Sequence, residues 1–210
     1  SPNMGTDEEF RELVQDIHNR GMHIVIDGVF NHCSWYFPQF SDVVEKGESS
    51  EYANWFYRLQ FPVIRPATEE EKPTYSCFAY ERKMPKLNSS NPEERAYFME
   101  VCRYWIREFK VDGWRLDVAN EVDRGFWRDF HRAAHEENPE SVMIGEIWES
   151  SETWLNGDMF DSTMNYDFRK NCRDFFALRK ISAEEFHDRI VKMLLRYRTG
   201  TLRGQLKDRK

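Results

Sequence analysis

Three short stretches carry residue types that could do chemistry. GWRLDVANEV, residues 113–122, sets Arg115 and Asp117 two positions apart in an otherwise apolar run. VMIGEIW, residues 142–148, carries Glu146, and DGVFNH, residues 27–32, carries Asp27 and His32. In an extended chain side chains alternate, so Arg115 and Asp117 share one face while Trp114, Leu116 and Val118 take the other. Two carboxylates beside a guanidinium suit nucleophilic catalysis coupled to proton transfer. On adjacent strands, roughly 4.7–4.9 Å apart, they approach the separation of about 5–5.5 Å that retaining glycoside cleavage uses. In that chemistry Asp117 attacks the anomeric carbon, and Glu146 protonates the leaving oxygen and then deprotonates water. Arg115 favours the charged form of Asp117. The neighbouring negative charge and partial burial are expected to raise the proton affinity of Glu146. His32 is placed to bond a sugar hydroxyl, and Asp27 to brace Arg115 and His32. A metal centre built from Asp27, His32, Asp117 and Glu146 is the chemical rival, but Arg115 beside them would oppose a dication.

These groups need elements to hold them. Thr6 and Glu9 form a capping box ahead of Phe10, Leu13, Val14 and Ile17, and Gly21 closes that helix. MHIVIDGVF (22–30) reads as a strand apolar on both faces, the kind found in parallel sheets. Asn91, Pro92 and Glu94 open a helix to about Phe109, a second spans about Asp123 to Glu137, and Ser182 and Glu185 cap a third. Between them lie the strands VDGWRLDV, VMIGEIW and FDSTMNY (160–166). Residues 33–92 lack sustained periodicity and are too long for a connection, which predicts an inserted subdomain. This order is an α/β repeat with a mostly parallel sheet. Ionisable groups at the ends of successive strands favour a partial (β/α)8 TIM barrel over a doubly wound sheet. No GxGxxG or GxxxxGKS follows the first strand.

Bulk properties narrow the partners. The chain has 210 residues, a net charge of −7 and no long basic run, which argues against nucleic acid and anionic membranes. No apolar run approaches the ~20 residues of a membrane span. Cys33, Cys77, Cys102 and Cys172 are widely spaced, and free thiols fit a cytoplasmic more than a secreted setting. Aromatic content of 15%, with seven tryptophans interleaved with charges, hints at a sugar-binding cleft.

Together the motifs resemble those of the α-amylase family, glycoside hydrolase family 13. DGVFNH resembles its first signature, GWRLDVANE its second and GEIW its third. MPKLN (84–88), VANE and Trp148 resemble the neopullulanase, cyclomaltodextrinase and maltogenic amylase group. The resemblance implies an α-glucan substrate with α-1,4 linkages, α-1,6 being the secondary one. It makes Asp117 the nucleophile, Glu146 the acid/base, and His32, Arg115, Asn120, Glu121 and Trp148 the substrate contacts, with Asp27 supporting. It implies no required cofactor. Calcium is compatible with it, Asn31 being the candidate ligand. Glu149 stands where many relatives carry His, which bears on substrate preference. The implied organisation is a barrel segment at 1–32 (helix two and strand three), a domain B-like insert at 33–92, and a second barrel segment at 93–210, about strands three to six in all. The family's fourth signature, with the third carboxylate, is not found in the sequence. The chain by itself is therefore expected to be inactive and to self-associate through open barrel edges. The alternative from another class is a non-catalytic α-glucan-binding or structural half-barrel.

Overall fold

The computed structural model describes residues 4–197. Helix α1 (Asp7–Asn19) starts at Thr6, whose hydroxyl accepts from the Glu9 N–H while the Glu9 carboxylate accepts from Thr6, a reciprocal cap. Strand β1 (Val25–Gly28) follows, then α2 (Pro38–Lys46) inside the long segment, and α3 (Pro92–Phe109). Asn91 caps α3 by accepting from the N–H groups of Glu93 and Glu94, and Pro92 fills the first helical position. Next come β2 (Gly113–Leu116), α4 (Arg124–Glu137), β3 (Val142–Gly145) and β4 (Ser162–Thr163). Helices α5 (Tyr166–Cys172) and α6 (Ala183–Arg196) complete the order. Asp123 caps α4 and Ser182 caps α6 through their side chains.

The strands form one sheet in the order β1-β2-β3-β4, with every pairing parallel. Asp27 lies opposite Arg115, and Arg115 opposite Ile144. One face is sealed by helices. Trp114, Leu116 and Met143 are buried there, against a ring cluster in which Phe30 meets Phe98 edge-on and Phe126 and Phe130 tilted, while Phe126 and Phe130 stack on each other. The other face, which carries Asp27, Arg115 and Ile144, stays half-buried or exposed. The two-sided burial expected of MHIVIDGVF is therefore not seen among the described residues, where Val25 and Val29 are about two-fifths exposed.

Between β1 and α3 the chain packs a group of rings that is continuous with the core beneath the sheet. Phe40 and Val43 of α2 are fully buried, and the Phe40 ring meets Phe56 and Tyr75 edge-on at 5.1 and 4.9 Å. A nine-residue helix is marginal alone. Burial of these two side chains holds it, and so short a run shows little periodicity in the sequence. The stretch around MPKLN returns antiparallel to the exit of β1. Leu87 N–H donates to Asn31 O at 3.0 Å, Cys33 N–H donates to Pro85 O at 3.0 Å, and His32 pairs with Lys86.

The aromatic richness is mostly interior. Of the seven tryptophans, Trp148 alone is more than half exposed, whereas Trp55, Trp114, Trp127 and Trp154 are buried. The composition reports core packing more than a sugar platform.

Candidate active site

The strands deliver their ionisable groups to one end of the sheet. Arg115 occupies the third position of β2, beside Asp27 on β1. Asp117 and Glu146 lie just past β2 and β3, where the ladder continues through Asp117 N–H to Gly28 O (2.9 Å) and Glu146 N–H to Leu116 O (2.8 Å). Alternation puts Asp27, Arg115 and Asp117 on the same side. Arg115 acts as a fork: Nη1 donates to Asp117 Oδ1 at 2.6 Å and to Asp27 Oδ1 at 2.8 Å, and Nη2 pairs with Glu146 Oε2 at 2.8 Å. One guanidinium thus spans three carboxylates. Burial alone would lower the Arg115 pKa. The bonds from Asp27 and Asp117 outweigh it and push the value up, so the cation is fixed.

Glu146 is the deepest of the three, 7% exposed. Its Oε2 accepts the Val118 N–H at 3.1 Å and its Oε1 the Tyr166 hydroxyl at 2.8 Å. Burial raises its pKa. Against that, the Val118 amide, the Trp148 side chain, Tyr166 and Arg115 all favour the anion, and the net direction is below the ordinary carboxylate range. The raised proton affinity expected from sequence is not found, because donors outnumber the negative neighbours. Val118 earns its place by backbone geometry: it is left-handed, at φ 45° and ψ 43°, although β-branched and buried. That turn ends β2, aims the Val118 amide at the Glu146 side chain and lets Ala119 N–H reach the Glu146 carbonyl at 3.0 Å.

The remaining candidates form a second group on the side of the segment between β1 and α3. His32 is 8% exposed and stacks on Phe78, with centroids 4.5 Å apart and planes 6° from parallel. Burial lowers the His32 pKa against the pull of Asp117 and Glu121, with Lys86 adding to the lowering. Lys86 bridges to Glu121 at 2.8 Å. Trp148 is exposed beside Phe78, at 6.5 Å between centroids. The Oδ1 of Asn120 is buried with no hydrogen-bond partner among the described residues. Asn31 is buried with its amide 3.5 Å from the His32 ring. Asp27 braces Arg115. Tyr166, Lys86 and Phe78 escape the sequence reading. Tyr166 had a signal, since it closes FDSTMNY, the stretch read as a strand after the one that carries Glu146, although the strand is only Ser162–Thr163 and Tyr166 opens α5. Lys86 and Phe78 lie in the aperiodic stretch between β1 and α3 and had none beyond MPKLN itself.

Among the described residues no helix is long and apolar enough to cross a membrane. Residues 1–204 match the family model described as the alpha amylase catalytic domain. The chain is 45% identical over 197 residues to a cyclomaltodextrinase of Thermoanaerobacter pseudethanolicus, covering 93% of this chain and 34% of that protein. It is 47% identical over 194 residues to the intracellular maltogenic amylase of Bacillus subtilis, covering 92% and 32%. The fold is similar to that of the cyclic alpha-maltosyl-(1→6)-maltose hydrolase of Arthrobacter globiformis in complex with cyclic alpha-maltosyl-(1→6)-maltose. That likeness has a TM-score of 0.88 and 36% identity over 95% of this chain and 44% of that one. The chain spans about a third of the length of the curated relatives it matches.

Proposed function

Since the chain belongs to the alpha-amylase catalytic-domain family and its sheet is part of a (β/α)8 barrel, we propose that it carries the nucleophile and acid/base of a retaining α-glucan hydrolase or transglycosylase. The observation that supports this most is the Arg115 fork, which holds Asp117 and Glu146 side by side at the strand ends. Asp117 attacks the anomeric carbon, a glycosyl ester forms as the glycosidic oxygen leaves, and water or an acceptor sugar then displaces it. Glu146 rests as the anion. It takes up its proton when a bound sugar displaces water and burial comes to dominate its environment. It delivers that proton to the leaving oxygen and withdraws one from water in the second half.

His32, held on Phe78, bonds a hydroxyl of the sugar being cleaved. Trp148, Asn120 and Glu121 line the leaving-group side, where the balance of hydrolysis and transfer is set. The glucan named with the Arthrobacter relative contains (1→6)-linked maltosyl units, and substrates of α-1,4 type with some α-1,6 tolerance fit this chain. Asn31 is the candidate calcium ligand; its buried amide beside His32 is an imperfect match for a cation. The division into 1–32, 33–92 and 93–210 and a cytoplasmic setting, with four free cysteines, belong to the same reading. So do low turnover and self-association of this chain on its own.

An activated glycosyl fluoride donor with mass spectrometry tests the assignment. A glucosyl adduct on the peptide that contains Asp117, lost in Asp117→Asn and accumulating in Glu146→Gln, is the expected result. Maltooligosaccharide binding with no adduct in any form would leave a binding half-barrel instead.

A further inference from the structure

A second cluster lies at the opposite end of the sheet, where α4 finishes and β4 begins. His131 and His135 are one helical turn apart on α4 and share a face. Their rings stack with centroids 4.0 Å apart and planes at 24°. Asp161 sits immediately before β4, and one ligand atom from each of the three residues lies within 4.8 Å of the others. The orientation of two of them is fixed by their neighbours. The Nδ1 of His135 is 2.8 Å from the His131 carbonyl oxygen, so it must carry the proton and donate, which leaves Nε2 as a lone pair. The Asp161 carboxylate accepts the Met143 N–H at 2.7 Å, and its backbone N–H returns to Met143 O at 3.0 Å. An imidazole whose far nitrogen donates to a carbonyl, and a carboxylate anchored by an amide, are the outer contacts typical of metal ligands.

We propose that His131, His135 and Asp161 bind a divalent first-row transition metal, with Zn2+ the best match. Two imidazoles and one carboxylate are ligands that zinc takes in a tetrahedral set, with water in the fourth place. Calcium and magnesium prefer all-oxygen cages. A hollow of about 510 Å³ beside the two rings gives the ion and its water access. The cations nearby are answered locally: Arg128 pairs with Asp158 at 2.6 Å and Arg132 with Asp129 at 3.2 Å. In helical zinc hydrolases a glutamate follows the first histidine as general base. Arg132 stands there in this chain, so the role is mechanical: the ion ties the end of α4 to the start of β4.

Chelator-treated protein titrated with Zn2+ by calorimetry, with Co2+ as a spectroscopic probe, tests this. The expected result is one saturable equivalent, a visible Co2+ d–d band and a thermal midpoint raised by Zn2+ but not by Ca2+. His131→Ala and His135→Gln should each weaken binding roughly tenfold or more and lose the band, while His187→Ala on exposed α6 should bind as the parent does. Absence of saturable uptake by the parent, or equal uptake and equal thermal gain in the two ligand variants, would overturn the proposal. Circular dichroism distinguishes a folded variant that lacks the site from one that has not folded.

Discussion

Glu94 lies in the first turn of α3, where a carboxylate usually faces solvent and the helix end. Here it is fully buried, and neither carboxylate oxygen has a hydrogen-bond partner among the described residues. Burial pushes its pKa from 4.5 up to about 8, with Arg95 pulling weakly the other way, and Cys33 is close enough to feel its charge. The sign follows from proton counting. Between about pH 4.5 and 8 the folded protein keeps the Glu94 proton that the unfolded chain has released. Stability therefore falls as pH rises through this window, by up to ~1.4 kcal/mol per pH unit from this group. Integrated to pH 7 the loss is about 3 kcal/mol, a large part of an ordinary folding free energy.

Glu94→Gln keeps the shape of the neutral acid and removes the titration. Urea unfolding of parent and variant at pH 5.5, 6.5 and 7.5 reads the difference directly. Other titrating groups contribute to both proteins and cancel, and the Cys33 thiol, itself pushed up to about 12, stays protonated throughout. The variant should gain steadily on the parent across the series, whatever constant offset the buried amide adds. Parallel stability curves would refute the reasoning and show that Glu94 is solvated or paired in solution.

Tyr166→Phe removes one hydroxyl donor from Glu146, and a hydrogen bond to a charged group contributes about 1.5–3 kcal/mol. The Glu146 carboxyl should then titrate higher, since one donor that favours its anion is gone, visible by carbon NMR of the labelled side chain; an unmoved titration sinks the assignment of Tyr166. Gly113→Ala should destabilise by ~3 kcal/mol or more, since an added Cβ would lie 2.1 Å from Val142 O in the β2–β3 pairing; a melting point within two or three degrees of the parent, about 1 kcal/mol, contradicts the register. Cys33 and Cys77, pushed up by burial to about 12 and 11, should resist alkylation at pH 8 in the native state and react on unfolding, as followed by peptide mapping; prompt native labelling of Cys33 would show that its cover opens.

Much of the scaffold was legible because its signals are local. Thr6, Asn91, Asp123 and Ser182 are side-chain caps that mark the starts of α1, α3, α4 and α6. The alternation in GWRLDV correctly separates buried Trp114 and Leu116 from the Arg115 face. What stayed hidden depends on contacts distant in sequence or on backbone strain. A valine in left-handed conformation leaves no mark on composition, so the Val118 amide on Glu146 could not be foreseen, and with it went the direction of the Glu146 pKa. The pairings between β1 and α3 are single bridges between aperiodic segments, which is why Lys86 and Phe78 were missed beside His32. Glu94 read as a helix-start carboxylate, and only packing reveals that it turns inward.

The antiparallel return of residues 85–87 onto the exit of β1 also bears on the route by which the chain folds. Asp27 and Arg115 meet across 88 positions, a long loop to close before any contact compensates. If the segment between β1 and α3 collapses first around Phe40 and zips Cys33 against Pro85, the open path between β1 and β2 shrinks to roughly 37 residues. The closure entropy then falls by about 0.8 kcal/mol, a few-fold in rate where that closure limits folding. The segment between β1 and α3 would serve the sheet as a chain-shortening clip, and the fork at Arg115 would assemble only after the segment that flanks it has already found its shape.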